Sequence, residues 1–263
     1  MSSFGDFVWP CSGPVECPDW DPTPACGHGL HGLLDGEGYG TLLDWEPDTV
    51  WLVAEVDEWV NLGGKVKAPR AVVVHAGDRA SATAWLVERC PGRAVVGATV
   101  VAGDHGMAVA GYGGTATAGD RGTATAGDRG TAIAGYRGTA TAGDDGTATA
   151  GDRGTATAGD RGTATAGYRG TATAGYRGTA TAGDCGTAIA GYCGTATAGD
   201  DGTATVRHGG TAAAGVGGTI QVQWWDGARY RVAIGYVGED GIEPNVAYHV
   251  VDGRLTKKES TIR

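Results

Sequence analysis

Large side chains are scarce in this 263-residue chain, which has two Phe, two Met and no run of apolar residues near the length of a membrane span. Its 41 % hydrophobic content is therefore made mostly of Ala and Val, enough for a core but not for an ordinary one. Six cysteines, at positions 11, 17, 26, 90, 185 and 193, are too few for a disulfide scaffold and suit free thiols in a reducing compartment. The start, Met1-Ser2-Ser3-Phe4-Gly5-Asp6, lacks the basic and apolar regions of a secretory leader, so the expectation is a cytoplasmic protein without membrane attachment. Basic charge is also short. The net charge is −10, which argues against direct nucleic-acid binding and leaves polyanion mimicry as the related role. No phosphate-cradling Gly-x-x-x-x-Gly-Lys-Ser/Thr and no Gly-x-Ser-x-Gly elbow occurs, and a nucleophile pair of Cys26 with His75 has no supporting motif. The expectation is a protein that is not an enzyme.

What is abundant is glycine, 50 residues, and a repeat accounts for the excess. From Ala102 to Thr205 the chain repeats with period eight, on the consensus Ala-Gly-Asp-Arg-Gly-Thr-Ala-Thr. Weaker copies flank the array at Ala94–Val101 and Val206–Ala213, as capping repeats do. Thr-Ala-Thr-Ala alternates like a strand and Gly-x-x-Gly supplies a tight turn. Two units per coil predict a β-solenoid of stacked 16-residue coils with two opposed parallel sheets, coils about 4.8 Å apart. Seven or eight coils would then make a rod on the order of 35 Å long.

The expected organisation is a small acidic α+β N-terminal cap domain (1–93), the octapeptide solenoid (94–218) and a C-terminal β-hairpin cap (219–263). In the first part, Val50–Val56 and Ala71–His75 read as strands and Ala80–Arg89 as a short helix. In the last, Thr219–Trp224 and Arg229–Ile234 alternate around Asp226-Gly227 as a hairpin, covering sheet edges that would otherwise invite end-to-end association.

Two Thr on one strand face lie about 6.7 Å apart and recur about every 4.8 Å, a grid of hydroxyls and methyls suited to ordering water. The candidate water-ordering pairs are Thr115 with Thr117, Thr123 with Thr125, Thr139 with Thr141, Thr147 with Thr149 and Thr155 with Thr157. They continue as Thr163 with Thr165, Thr171 with Thr173, Thr179 with Thr181, Thr195 with Thr197 and Thr203 with Thr205. Alternation alone leaves the inward face open. A thin interior favours Ala inside, whereas Val101, Val109, Ile133 and Ile189 all stand at the second Thr position and favour Thr inside. The Tyr residues 112, 136, 168, 176 and 192 fall on both edges of such a coil, as do Cys185 and Cys193. Neighbouring acid and base, such as Asp120 with Arg121 and Asp160 with Arg161, read as solvated charge ladders worth little each. Outside the array, Cys17, Cys26, His28 and His31 form the one metal-like set. Thiolates and imidazoles suit zinc, but this spacing matches no standard finger, and the alternative is that the four simply pack or face solvent.

Ala110-Gly-Tyr-Gly-Gly-Thr-Ala-Thr117 and Ala166-Gly-Tyr-Arg-Gly-Thr-Ala-Thr173 resemble the repeats of bacterial ice-nucleation proteins. That resemblance implies an ice or ordered-water partner and makes the Thr pairs its contact residues. Cys26-Gly-His-Gly-Leu-His31, the array, and Gly241–Gly253 also resemble, in that order, an uncharacterised bacterial and phage octapeptide-repeat family. This second resemblance implies a structural or protein-interaction scaffold with an unidentified protein partner.

Overall fold

The computed structural model describes residues 7–258, so the Met1–Asp6 segment that bears on a leader lies outside the described residues. The chain divides into two compact units, residues 1–100 with 109–115, and residues 101–108 with 116–263.

In the first unit, β1 (Gly13–Glu16), β2 (Leu30–Gly32), β3 (Trp51–Glu55), β4 (Val60–Asn61), β5 (Val66–Ala68) and β6 (Arg70–Gly77) make two antiparallel sheets, ordered β1-β6-β3 and β2-β5-β4. Helix α1 (Arg79–Arg89) follows directly, because the Asp78 carboxylate accepts the Ser81 N–H at 2.8 Å and caps its first turn. Val15, Leu30, Ala71 and Val73 form the core, with Phe7, Trp9 and Leu52 packed against it. Lys67 is buried in β5, where its Nζ donates to the carbonyls of Ala25 (2.9 Å) and Gly27 (3.2 Å). A buried ammonium persists only with such partners. The helix and both principal strands of this region match the sequence expectation to within one or two residues.

The repeats then supply β7 (Thr99–Ala102), β8 (Met107–Ala110), β9 (Thr115–Ala118), β10 (Thr123–Ala126), and a four-residue strand every eight residues through β20 (Thr203–Val206) and β21 (Thr211–Ala214). Four more strands complete the chain: β22 (Thr219–Trp225), β23 (Tyr230–Tyr236), β24 (Tyr248–Val251) and β25 (Arg254–Lys257). From β10 to β22, even-numbered strands stack in parallel in one sheet, and from β11 to β21 odd-numbered strands do so in the other, as in Thr123↔Thr139 and Thr147↔Thr163. The result is the expected β-solenoid with sixteen residues per coil. Its end is more elaborate than one hairpin. Strands β22 and β23 extend the even sheet, and the hairpin β24–β25 extends the odd one through a single pairing of Tyr248 with Ala212.

The interior is alanine. Ala124, Ala140, Ala156, Ala172 and Ala188 are 0 % exposed, and the second Ala of each strand is nearly as buried. Thr therefore points outward. The apolar replacements follow Thr: Ile133 and Ile189 are 40 % and 38 % exposed, and Val101 is more so. Near the C-terminal end, Val206, Ile220 and Val222 occupy inward positions.

Candidate functional site

Each Thr pair sits on a strand whose position is set by the turns on either side. The repeat turn Gly119-Asp120-Arg121-Gly122 is closed by Gly122 N–H donating to Gly119 C=O at 3.1 Å, with Arg121 in the left-handed region at φ +57°. That sign pattern is a type II turn. In the regular repeats the left-handed residue is thus the Arg, Asp or Cys at the third turn position, where Gly113 stands in one unit, and neither of the two recurring glycines. The glycines serve close approach: a Cβ on Gly119 would collide with Asp104 Oδ1 and lie 2.6 Å from the Asp104 amide nitrogen, in the turn one coil earlier.

The turn aspartates lock successive coils together. Asp120 Oδ1 accepts the Tyr136 N–H at 2.9 Å, Asp128 the Asp144 N–H at 3.0 Å, and Asp144 the Asp160 N–H at 2.8 Å, each across sixteen residues. Their principal role is therefore backbone capping between coils and not pairing with the neighbouring Arg. One bidentate ion pair does form, Arg161 to Asp145 at 2.8 and 2.7 Å, and the guanidinium holds the Asp145 carboxyl below its ordinary range. Tyr136 and Tyr168 belong to turns leading into even strands, and Tyr176 and Tyr192 to turns leading into odd ones. Cys185 and Cys193 are divided the same way, and both are free thiols.

This register sorts the Thr pairs onto two faces. On the even strands, Thr123 and Thr125 stack on Thr139 and Thr141, then on Thr155 and Thr157, then on Thr171 and Thr173, without interruption. The first even row continues through Thr187 to Thr203, whereas the second is interrupted by Ile189 and resumes at Thr205. On the odd strands, the unbroken run is Thr147 and Thr149, Thr163 and Thr165, Thr179 and Thr181, and finally Thr195 and Thr197. Thr117 lies on the other side of Ile133 from that run. Chain order conceals this division, because neighbouring repeats go to opposite faces. Each unbroken run covers about 14 Å along the stack and about 6.7 Å across it.

The two rows of each face differ in exposure. The first row is mostly exposed, as at Thr123, Thr147 and Thr195, whereas the second row is half-buried throughout the two runs. Thr125, Thr149 and Thr197, expected as contact residues equal to their partners, thus present less surface than Thr123, Thr147 and Thr195. The hydroxyls and methyls of both rows still reach the surface, but the face is stepped and not uniformly open.

The four residues considered for zinc have separate engagements. Cys17 Sγ donates to Asp19 Oδ1 at 3.0 Å and His28 Nδ1 meets Asp19 Oδ2 at 2.9 Å, so these two converge on one carboxylate. Cys26 Sγ instead accepts from Lys65 Nζ at 3.0 Å, which lowers its pKa, whereas burial raises that of Cys17. His31 lines a cavity of about 550 Å³ with Trp9, Trp51, Trp59 and Trp85; burial lowers its pKa, and its Nε2 is buried without a partner. Among the described residues no group of three or more His, Cys, Asp or Glu is disposed to hold a metal ion. No helix among them is long and apolar enough to cross a membrane.

The chain matches no protein-family model and no solved structure. It is similar to an ice nucleation protein of Xanthomonas campestris pv. translucens, 39 % identical over 95 residues, which is 35 % of this chain and 6 % of that protein. An ice nucleation protein of Pantoea ananas is 38 % identical over 91 residues (33 % of this chain, 9 % of the relative), and one of Pseudomonas syringae is 41 % identical over 93 residues (34 % and 8 %). The chain thus spans less than a tenth of the length of these curated relatives. Over about a third of its length, this β-solenoid protein resembles the bacterial ice nucleation proteins.

Proposed function

We propose that the solenoid binds ice or ordered water through its two Thr-x-Thr faces and catalyses no reaction. The observation that carries this reading is the outward register of the Thr rows: the same hydroxyl and methyl recur at fixed spacing in both directions over several coils, on a backbone locked by Asp-to-amide bonds. A rigid grid can hold a layer of water in lattice-like positions without ordering itself first, so little entropy is lost on contact. The similarity to ice nucleation proteins supports the same reading. Each unbroken face is small, about 14 Å by 6.7 Å, so it suits adsorption to existing ice better than templating a critical embryo at mild supercooling.

Ice-crystal morphology and droplet freezing temperature test this. The unsubstituted protein should facet growing crystals while shifting the freezing temperature little. Thr155→Lys, Thr157→Lys, Thr171→Lys and Thr173→Lys together should abolish the contribution of the even face, and matching changes at Thr163, Thr165, Thr179 and Thr181 that of the odd face. Round, unfaceted crystals with the unsubstituted protein would refute ice binding and turn attention to the scaffold reading.

A further inference from the structure

We propose that β23 is a pairing edge for a second copy of this chain, joining two even-numbered sheets antiparallel about a two-fold axis at Ala233. The even sheet ends at β23, and among the described residues no further strand pairs with it. Along β23 the side chains of Tyr230, Val232, Ile234 and Tyr236 all stand on the outward face, 47 %, 53 %, 53 % and 53 % exposed. An exposed apolar edge strand is a template for association, and proteins blunt such edges with charge, proline or bulges. The other sheet is treated in that way, since its edge strand β25 carries Arg254 and Lys257. Strand β23 carries one charge, Arg231, and Asp226 already engages it.

The occupant follows from the strand itself. Tyr230-Arg-Val-Ala-Ile-Gly-Tyr236 has nearly the same pattern of side chains in both directions. With Ala233 opposite the second copy's Ala233, Tyr230 meets the second copy's Tyr236 and Val232 meets its Ile234, and the whole strand is paired. A one-residue slip would set the apolar row against the opposite face, and a two-residue slip would leave both ends of the ladder unpaired. Cross-strand aromatic and β-branched pairs of this kind stabilise a ladder. The same strand offered to an unrelated sheet would lose that match, so the geometry favours a second copy.

An antiparallel pair within one sheet keeps equivalent side chains on the same side. Gln221 and Thr219 of β22 lie opposite Ile234 and Tyr236, and their outward face continues that of Thr203 and Thr205. The two copies would therefore present their even Thr rows on one surface. The pairing does not rest on the ice reading, and a failure of ice binding would leave it standing.

Sedimentation velocity at tens of micromolar tests the pairing with the full chain. The unsubstituted protein should sediment at twice its 26.4 kDa mass and the double variant Val232→Lys with Ile234→Lys at the single mass, while Val251→Lys on β24 retains the double mass. Hydrogen exchange of the unsubstituted protein supplies a readout that needs no variant: amides of 230–236 should exchange at least tenfold more slowly in concentrated than in diluted samples. A single-copy mass for the unsubstituted protein, a double mass for the two-lysine variant, or exchange independent of concentration would each overturn the proposal.

Discussion

Isoleucine placed at Ala156, and separately at Thr157, puts one side chain on opposite faces of the same strand. Ala156 is 0 % exposed and lies between Ala140 and Ala172 in the stack, with the other sheet across a narrow interior. Isoleucine adds three carbons where no space exists, and overpacking of a filled interior costs about 1–3 kcal/mol. The upper end applies because the coils on both sides are held by backbone bonds and cannot separate locally. Thr157 lies between Thr141 and Thr173 on the surface, and isoleucine already stands at the equivalent places Ile133 and Ile189. A surface change of this kind stays within about 0.5 kcal/mol of neutral. The two variants should therefore differ by roughly 2–3 kcal/mol, about 5–10 °C in melting temperature for a chain of this size. Thermal melting followed by circular dichroism in the strand band, with urea unfolding alongside, measures the difference. Equal stabilities, or a less stable Thr157→Ile, would mean that the inward face has been misassigned.

Three further outcomes follow from the turns and the first unit. Arg153 holds φ +58°, so Arg153→Val should lose about 1–2 kcal/mol in urea unfolding, whereas Arg153→Gly, matching Gly209 and Gly217 in later turns, should be neutral or stabilising. Asp226 is lowered from 3.8 to about 2, first by the N–H groups of Ala228 and Arg229 and then by Arg231. Because the folded value is depressed, its contribution is complete above pH 3.8 and fades as pH falls through about 2; Asp226→Asn should remove that segment of an acid titration of hairpin amide shifts. Cys26 is lowered by Lys65 and Cys17 raised by burial, so iodoacetamide at neutral pH should modify Cys26 faster, and Lys65→Met should slow it selectively, as read by peptide mass spectrometry.

Local rules explain which elements were legible. The Gly-x-x-Gly turns, the Asp226-Gly227 hairpin and the helix before Pro91 rest on contacts within a few residues, the Thr-Ala-Thr-Ala alternation shows the strand period in the residues themselves, and each formed where expected. The resemblance to ice nucleation repeats rested on similar short strings. Less legible were features that depend on a residue sixteen places away. Asp120 reads as half of a surface charge pair with Arg121 until the Tyr136 amide arrives from the next coil. Arg121 carries no sign of a left-handed backbone, because its N–H bond to the Tyr136 carbonyl holds the turn from the following coil. The lower exposure of Thr125, Thr149 and Thr197 than of their partners is equally invisible in a repeat that writes both positions as Thr. In the first unit, Cys17, Cys26, His28 and His31 read as one set, but Lys65 on one side and Asp19 in a loop divide them.

Period, coil length and the places of turn and strand were already present in the order of residues, since an eight-residue unit with one strand and one turn closes only in multiples of itself. The direction of the Thr rows was not. Ile133 and Ile189 pointed toward an interior of large side chains, yet the chain closes so tightly at each turn that a Cβ on Gly122 would fall 2.8 Å from the Ala118 Cβ across the turn and 3.0 Å from the Gly106 carbonyl oxygen of the preceding coil. An interior that narrow accepts alanine and sends isoleucine outside with threonine, and whether a side chain fits is a property of the assembled stack and not of any one repeat.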